Sequence, residues 1–300
     1  MPPRNKAVRR TEQRNPASRG LDRLSSKKIL RVMNREDAKV ARAVAREIPA
    51  IARAVDAIVR AIRSGGRLFY VGAGTSGRLA VLDAAECPPT FGTSPRLVQA
   101  VIAGGRRAIT GAVEGAEDSY AKGARDLRRN KLTPRDVVVG IAASGATPYV
   151  LGALDYARKR RAVTVAITSN PGSPLARAAR IQIVPQVGPE ILTGSTRLKA
   201  GTGQKLVLNM LSTAAMVRLG HVYDNWMIDV ALTNQKLRRR GLRILSEASG
   251  RQPSAAAHAL RQSGHDLRAA LVMLKRGVTA REARNLLRRA GGNLRRALGK

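Results

Sequence analysis

The chain is short of cysteine, histidine, aromatic side chains and acids. Its single cysteine, Cys87, excludes an internal disulfide framework. The three histidines, His221, His258 and His265, form no His-x-His or His-x-x-x-His pair. With one cysteine beside them there is no zinc signature, and no metal is expected. Phe, Trp and Tyr make up 3% of the residues, and residues 236–300 contain none. The stacking platforms that usually grip nucleic acid are therefore scarce. The longest uncharged stretch, residues 137–154, is interrupted by Gly, Ser, Thr and Pro, which excludes a bilayer span. The opening MPPRNKAVRR lacks the apolar core of a secretory signal. A cytoplasmic protein with no membrane partner is expected.

The shortage of acids leaves a large excess of base. There are 55 Lys+Arg, of which 43 are Arg, against 20 Asp+Glu, giving a net charge of +35. The ends are the densest: residues 1–48 carry 14 basic and 5 acidic side chains, and residues 236–300 carry 17 and 3. Such arms suggest nucleic acid. The missing aromatics and the absence of a recognisable binding motif argue against it, and nucleic acid is not expected as a partner. With 44% hydrophobic residues over 300 positions, the chain is neither a disordered tail nor too short for a core.

Three segments are expected: residues 1–48, an arm and the start of the first helix; 49–235, a central ligand-binding domain; and 236–300, a small helical domain. Residues 1–35 read as an extended arm containing Pro2, Pro3 and Pro16. Val40, Val44, Ile48, Ile51, Val55, Ile58 and Ile62 then recur at helical spacing, with Pro49 kinking or dividing the helix. Apolar runs at 68–71, 97–102, 137–141, 163–167 and 181–184 alternate with helical segments. The fold class is thus α/β, a parallel sheet flanked by helices. Further helices are expected over 198–222 and 225–249. The C-terminal region echoes itself, with HDLRAAL at 265–271 and GNLRRAL at 292–298.

Two turns that follow strands are rich in small and hydroxyl residues. Gly72-Ala-Gly-Thr-Ser-Gly77 matches G-x-G-x-x-G. A dinucleotide site would need an acid at the end of the next strand, but the chain there reads Ile102-Ala-Gly-Gly-Arg-Arg107. A sugar-phosphate cradle fits better. Thr75 and Ser76 in this turn, and Ser144 and Thr147 in the turn at 142–148, place hydroxyls beside helix N-termini whose amides attract phosphate. At Thr147 a simple helix cap explains the residue equally well. Two acidic clusters stand near these turns: Asp83-Ala-Ala-Glu86, followed by Pro88-Pro89, which should stop the helix, and Glu114-Gly-Ala-Glu117-Asp118. Paired carboxyls beside a phosphate cradle suit proton transfer on a sugar.

Together with TEQRNPAS at 11–18, AECPPT at 85–90, SNPG at 169–172 and TGSTRLKAGT at 193–202, these segments resemble the N-acetylmuramic acid 6-phosphate etherase family. That family consists of sugar-phosphate lyases on the sugar isomerase (SIS) fold. The resemblance covers about residues 11–240. It implies that 49–235 is an SIS domain and that the enzyme is a homodimer without a cofactor. It also implies cleavage of the lactyl ether of N-acetylmuramic acid 6-phosphate to N-acetylglucosamine 6-phosphate and D-lactate, in cell-wall amino-sugar recycling. A non-catalytic sugar-phosphate-binding regulator on the same fold is the alternative.

By the same resemblance, Glu86 protonates the departing lactate and Glu117 removes the proton at carbon 2. Burial of Glu86 beside Cys87-Pro88-Pro89 would keep it protonated. Thr75, Ser76, Ser144, Gly145 and Thr147 hold the phosphate. Ser195, Arg197 and Lys199 meet anionic or hydroxyl groups of the substrate, unless the two cations are merely solvated at a helix start. The family usually has a longer polar residue after Ser144-Gly145. Ala146 removes that side-chain contact and leaves the backbone cradle.

Overall fold

The computed structural model describes residues 9–232 and 234–299. The chain folds as two compact units. One is built from residues up to Ala84 and from Arg96 to Ser212; the other is built from Ala85–Pro95 and from Thr213 onward. The division falls within two helices, α3 and α8 below, and not at residues 48 and 235.

In the first unit, residues 10–12, 16–18 and 21–23 form single 3-10 turns, and helix α1 spans Ser26–Ala45. Residues 26–35 are thus helical and not part of an extended arm; Pro2 and Pro3 lie outside the described residues. Helix α2, Ile48–Arg63, has Pro49 in its first turn, where no intrahelical N–H is needed. Pro49 therefore divides the helical pattern. The order continues with β1 (Leu68–Gly72), α3 (Gly74–Phe91), β2 (Val98–Ile102), α4 (Arg107–Thr110), α5 (Tyr120–Arg129) and β3 (Val137–Ile141). It is completed by α6 (Pro148–Lys159), β4 (Val163–Ile167), α7 (Pro174–Ala178), β5 (Ile181–Ile183) and α8 (Lys199–Leu219).

The five strands form one parallel sheet in the order β2-β1-β3-β4-β5, with Gly72 opposite Ile141 in the central pair. Both faces are covered, which explains the unbroken apolar runs. On one face Phe69, Val71, Val138 and Ala166 join Leu127, Tyr149, Val150 and Leu154 in a buried cluster. Helices α5 and α6 meet there at backbone distance. A Cβ on Gly123 would lie 1.9 Å from the Tyr149 carbonyl, and one on Gly152 would lie 2.0 Å from that of Tyr120.

The second unit is helical apart from a short hairpin of β6 (Val222–Tyr223) and β7 (Trp226–Met227). The helix expected from Asn225 begins only at Gln235. Asp224 turns the hairpin at φ +55°, and Asn234 caps α9 (Gln235–Ser249) by accepting from the Leu237 amide at 2.9 Å. Helices α10 (Pro253–Gln262), α11 (Leu267–Arg276), α12 (Ala280–Arg289) and α13 (Leu294–Ala297) surround Leu245, Leu260, Leu271 and Leu287. The sequence echo is a repeated helix start. Asp266 accepts from the Ala269 amide at 3.1 Å, and Asn293 from the Arg296 amide at 3.0 Å. Pro88 and Pro89 do not stop α3. They occupy its last turn, and the helix ends at Gly92 (φ +63°), whose amide donates to the Pro88 carbonyl at 2.9 Å.

Candidate active site

The strand order changes direction between β1 and β3, and in such sheets ligands bind beyond the strand C-termini at that point. The two hydroxyl-rich turns lie there, side by side. After β1, helix α3 begins at Gly74, so its first amides have no intrahelical acceptor. Thr75 is half-buried, and its hydroxyl has no partner among the described residues. Ser76 is buried and donates to Gln204 Oε1 on α8 at 2.9 Å.

After β3 the chain turns at Gly145 (φ +66°). A Cβ there would fall 2.1 Å from Ser173 Oγ and 2.7 Å from Thr168 Oγ1. The Ala146 amide donates to Ser144 Oγ at 3.3 Å. Thr147 stands at the N-cap position of α6 but its side chain makes no capping bond, which leaves its hydroxyl uncommitted. Thr75 and Thr147 therefore project unpaired hydroxyls from adjacent turns.

Glu117 lies in the segment after β2. Its carbonyl accepts from the Tyr149 amide at 2.9 Å, which docks its backbone on the first turn of α6, next to Thr147; its carboxyl is exposed. Glu86 is on α3 and is also exposed. Asp83 and Cys87, four residues apart, share the buried face of α3, so Glu86 is turned outward. The burial expected beside Cys87-Pro88-Pro89 is not supplied to Glu86 by this chain.

Two motifs noted in the sequence support the turns. Asn170 Nδ2 donates to the Ala143 carbonyl at 2.9 Å and to Thr11 Oγ1 at 3.2 Å. Asn15 Nδ2 donates to Glu36 Oε2 and to the Pro189 carbonyl, both at 2.9 Å. The TEQRNPAS segment thus ties the β3 turn to the chain leading into α8. Ser195 and Arg197 lie on that approach, half-buried and exposed respectively. Lys199 does not. It is 1% exposed, and its Nζ lies 2.6 Å from Glu36 Oε2, so its charge is matched within the chain. Its place inside the first turn of α8 draws it inward. It is neither a solvated cation nor free to meet a substrate anion.

Sequence reasoning passed over Glu36, Glu190 and Gln204. Glu190 is fully buried and caps α8 by accepting from the Lys199 and Ala200 amides at 3.0 and 2.9 Å. Burial raises its pKa, against those two bonds and the Lys199 charge. Burial also opposes ionisation of Glu36, but Lys199, Lys39 and Asn15 outweigh it and hold the carboxyl down at about 2. Asp83 goes the other way. Burial raises its pKa, only partly offset by bonds from Tyr70 and Ser212. Among the described residues no three His, Cys, Asp or Glu side chains converge as metal ligands, and no helix is long and apolar enough to cross a membrane.

Residues 50–158 match the glucokinase regulatory protein N-terminal SIS domain, and residues 116–214 match the SIS domain. The chain is 56% identical over 288 residues to an N-acetylmuramic acid 6-phosphate etherase of Yersinia pestis, covering 96% of this chain and 98% of that one. The same figures hold for the etherase of Yersinia pseudotuberculosis. Among solved structures, phosphoheptose isomerases from Neisseria gonorrhoeae and Francisella tularensis each superpose with a TM-score of 0.51, at 18% and 19% identity. Each covers 64% of this chain and 98% of its own, a likeness of fold.

Proposed function

The chain belongs to the N-acetylmuramic acid 6-phosphate etherase family, and we propose that its two hydroxyl-bearing turns hold the sugar phosphate while Glu86 and Glu117 move the protons. The enzyme is a carbon–oxygen lyase. It cleaves the lactyl ether of N-acetylmuramic acid 6-phosphate and yields N-acetylglucosamine 6-phosphate and D-lactate, a step of amino-sugar recycling.

An ether resists displacement because alkoxide is a poor leaving group. In the open-chain sugar, carbon 2 lies beside the aldehyde and its hydrogen is acidified. Glu117 takes that proton as the C3–O bond breaks, and Glu86 gives a proton to the departing lactate oxygen. Water then adds across the unsaturated aldehyde at carbon 3. The observation that carries this reading is the pair of adjacent turns at the switch point, with Thr75 and Thr147 hydroxyls uncommitted and Glu117 docked beside Thr147. Ser76, Ser144 and the Gly145 backbone complete the phosphate cradle. Ser195 and Arg197 face the substrate's remaining polar groups, and Lys199 holds the α8 approach in place through Glu36.

Glu86 must be protonated to act as the acid, and its exposure in one chain leaves the shielding to a second copy. The homodimer is part of this proposal. Leu82 on α3 and Leu192 remain 47% and 56% exposed, apolar side chains that a second copy would cover. A monomer in light scattering at working concentration would exclude it. The place of action is the cytoplasm, where charge retains phosphorylated sugars. The deciding assay mixes purified protein with N-acetylmuramic acid 6-phosphate and measures D-lactate. Binding without release would make the protein a sugar-phosphate-binding regulator instead.

A further inference from the structure

We propose that Gln204 is a positioning residue whose side-chain amide decides where the Ser76 hydroxyl proton points. The inference rests on the reading above that Ser76 meets the phosphate. Gln204 is 1% exposed, on the second turn of α8, and Ser76 lies in the first turn of α3. In the present arrangement Ser76 Oγ donates to Gln204 Oε1 at 2.9 Å. The other half of that amide, Nε2, is buried and has no hydrogen-bond partner among the described residues.

A serine hydroxyl has one proton. While it is given to Gln204, Ser76 offers a phosphate only lone pairs, which repel it. Rotating the amide about its last bond exchanges oxygen and nitrogen in the same space, along a broad and nearly two-fold torsion. Nε2 then donates to Ser76 Oγ, the orphaned donor is satisfied, and the hydroxyl proton is released toward the anion. The carbonyl left behind is the more tolerable orphan of the two. Gln204 thereby turns Ser76 from a donor committed inward into a donor aimed at the ligand, without moving either backbone.

The test is a cycle of binding measurements with N-acetylglucosamine 6-phosphate by calorimetry at pH 8, each variant first checked for a cooperative thermal melt. Ser76→Ala should weaken binding about tenfold or more, the range for a hydrogen bond to a charged group. Gln204→Glu keeps the shape but, when ionised, can only accept, so it pins the Ser76 proton. Its loss should also be about tenfold. In the Ser76→Ala background Gln204→Glu should cost nothing further, whereas plain charge repulsion would persist there. Gln204→Met should lose only about threefold, since Ser76 keeps a free proton. A packing role predicts the reverse order, because Glu preserves the Ser76 bond and Met does not. In turnover, KM should rise for Gln204→Glu while kcat stays within about twofold, the pattern of lost uniform binding. Wild-type affinity in Gln204→Glu beside a weakened Ser76→Ala would overturn the proposal and leave the phosphate role of Ser76 standing. Wild-type affinity in Ser76→Ala would remove both. Should Gln204→Glu not fold, Gln204→Met carries the same cycle. Its loss must vanish in the Ser76→Ala background, and persistence overturns the proposal.

Discussion

Glu36 and Glu190 are buried and bonded, whereas Glu86 and Glu117 are exposed and their carboxyls make no hydrogen bond among the described residues. All four come from a pool of only 20 acids among 55 bases. The first pair fixes the frame: Glu36 neutralises Lys199, and Glu190 closes the start of α8. The second pair is exposed and is the pair proposed above to move the protons. Scarcity alone therefore does not mark a reacting acid. Burial and bonding are what separate the two pairs.

Separate substitutions should split the two pairs cleanly. The largest effect belongs to the exposed pair. Glu86→Gln and Glu117→Gln should each lower D-lactate release by about 10²–10⁴-fold, the usual worth of a general acid or base. Both should melt like the parent, because surface changes are usually within about 0.5 kcal/mol. Turnover near the parental rate in either variant would remove that residue from the mechanism.

The buried pair should behave in the opposite way. Glu36→Gln strands the Lys199 ammonium and should cost about 3–5 kcal/mol in denaturant unfolding. The same group sets an acid limit. Its folded pKa of about 2 lies below the ordinary glutamate value, so its contribution is full above that ordinary value and is lost as pH falls through about 2. The parent should lose stability across that window, and Glu36→Gln should lose less over it.

Gly145→Ala comes next, at about 1–3 kcal/mol for the left-handed backbone, plus the clash with Ser173. Thermal melts and sugar-phosphate affinity should both fall. Smallest is Asp83→Asn. Burial raises the Asp83 pKa in the fold, so its charged form weakens the protein as pH rises past the unfolded value. The variant should be as stable as the parent at acidic pH and slightly more stable at pH 8, read from paired melts.

The sheet was legible because both of its faces are covered and each strand is an apolar run bounded by glycine or hydroxyl residues. The hydroxyl-rich turns were legible for a related reason: Gly145 has no room for a side chain, and that constraint is written in its residue type. Glu36 was not legible. It sits in a charged helical stretch, NREDAK, and its partner Lys199 is 163 residues away. Gln204 gave no signal for the same reason. Adjacent Cys87 and prolines suggest burial for Glu86, but helical periodicity sends neighbours to different faces and leaves it exposed. Pro88 and Pro89 read as a stop in sequence, but a last turn ending on Gly92 tolerates them. At 225–249 the two-residue strands were too short to compete with a helical pattern in sequence.

The Glu190 carboxylate has a further effect on the field that a ligand meets. Helix α8 starts near the first turn, where a Cβ on Gly201 would lie 3.5 Å from Thr75 Cγ2. Its positive end would otherwise add to those of α3 and α6. Because the Glu190 carboxyl already occupies the Lys199 and Ala200 amides, that end of α8 has fewer free donors to offer. In the proposed site a phosphate would therefore meet the starts of α3 and α6, whose first amides the chain does not cap with an acid of its own among the described residues.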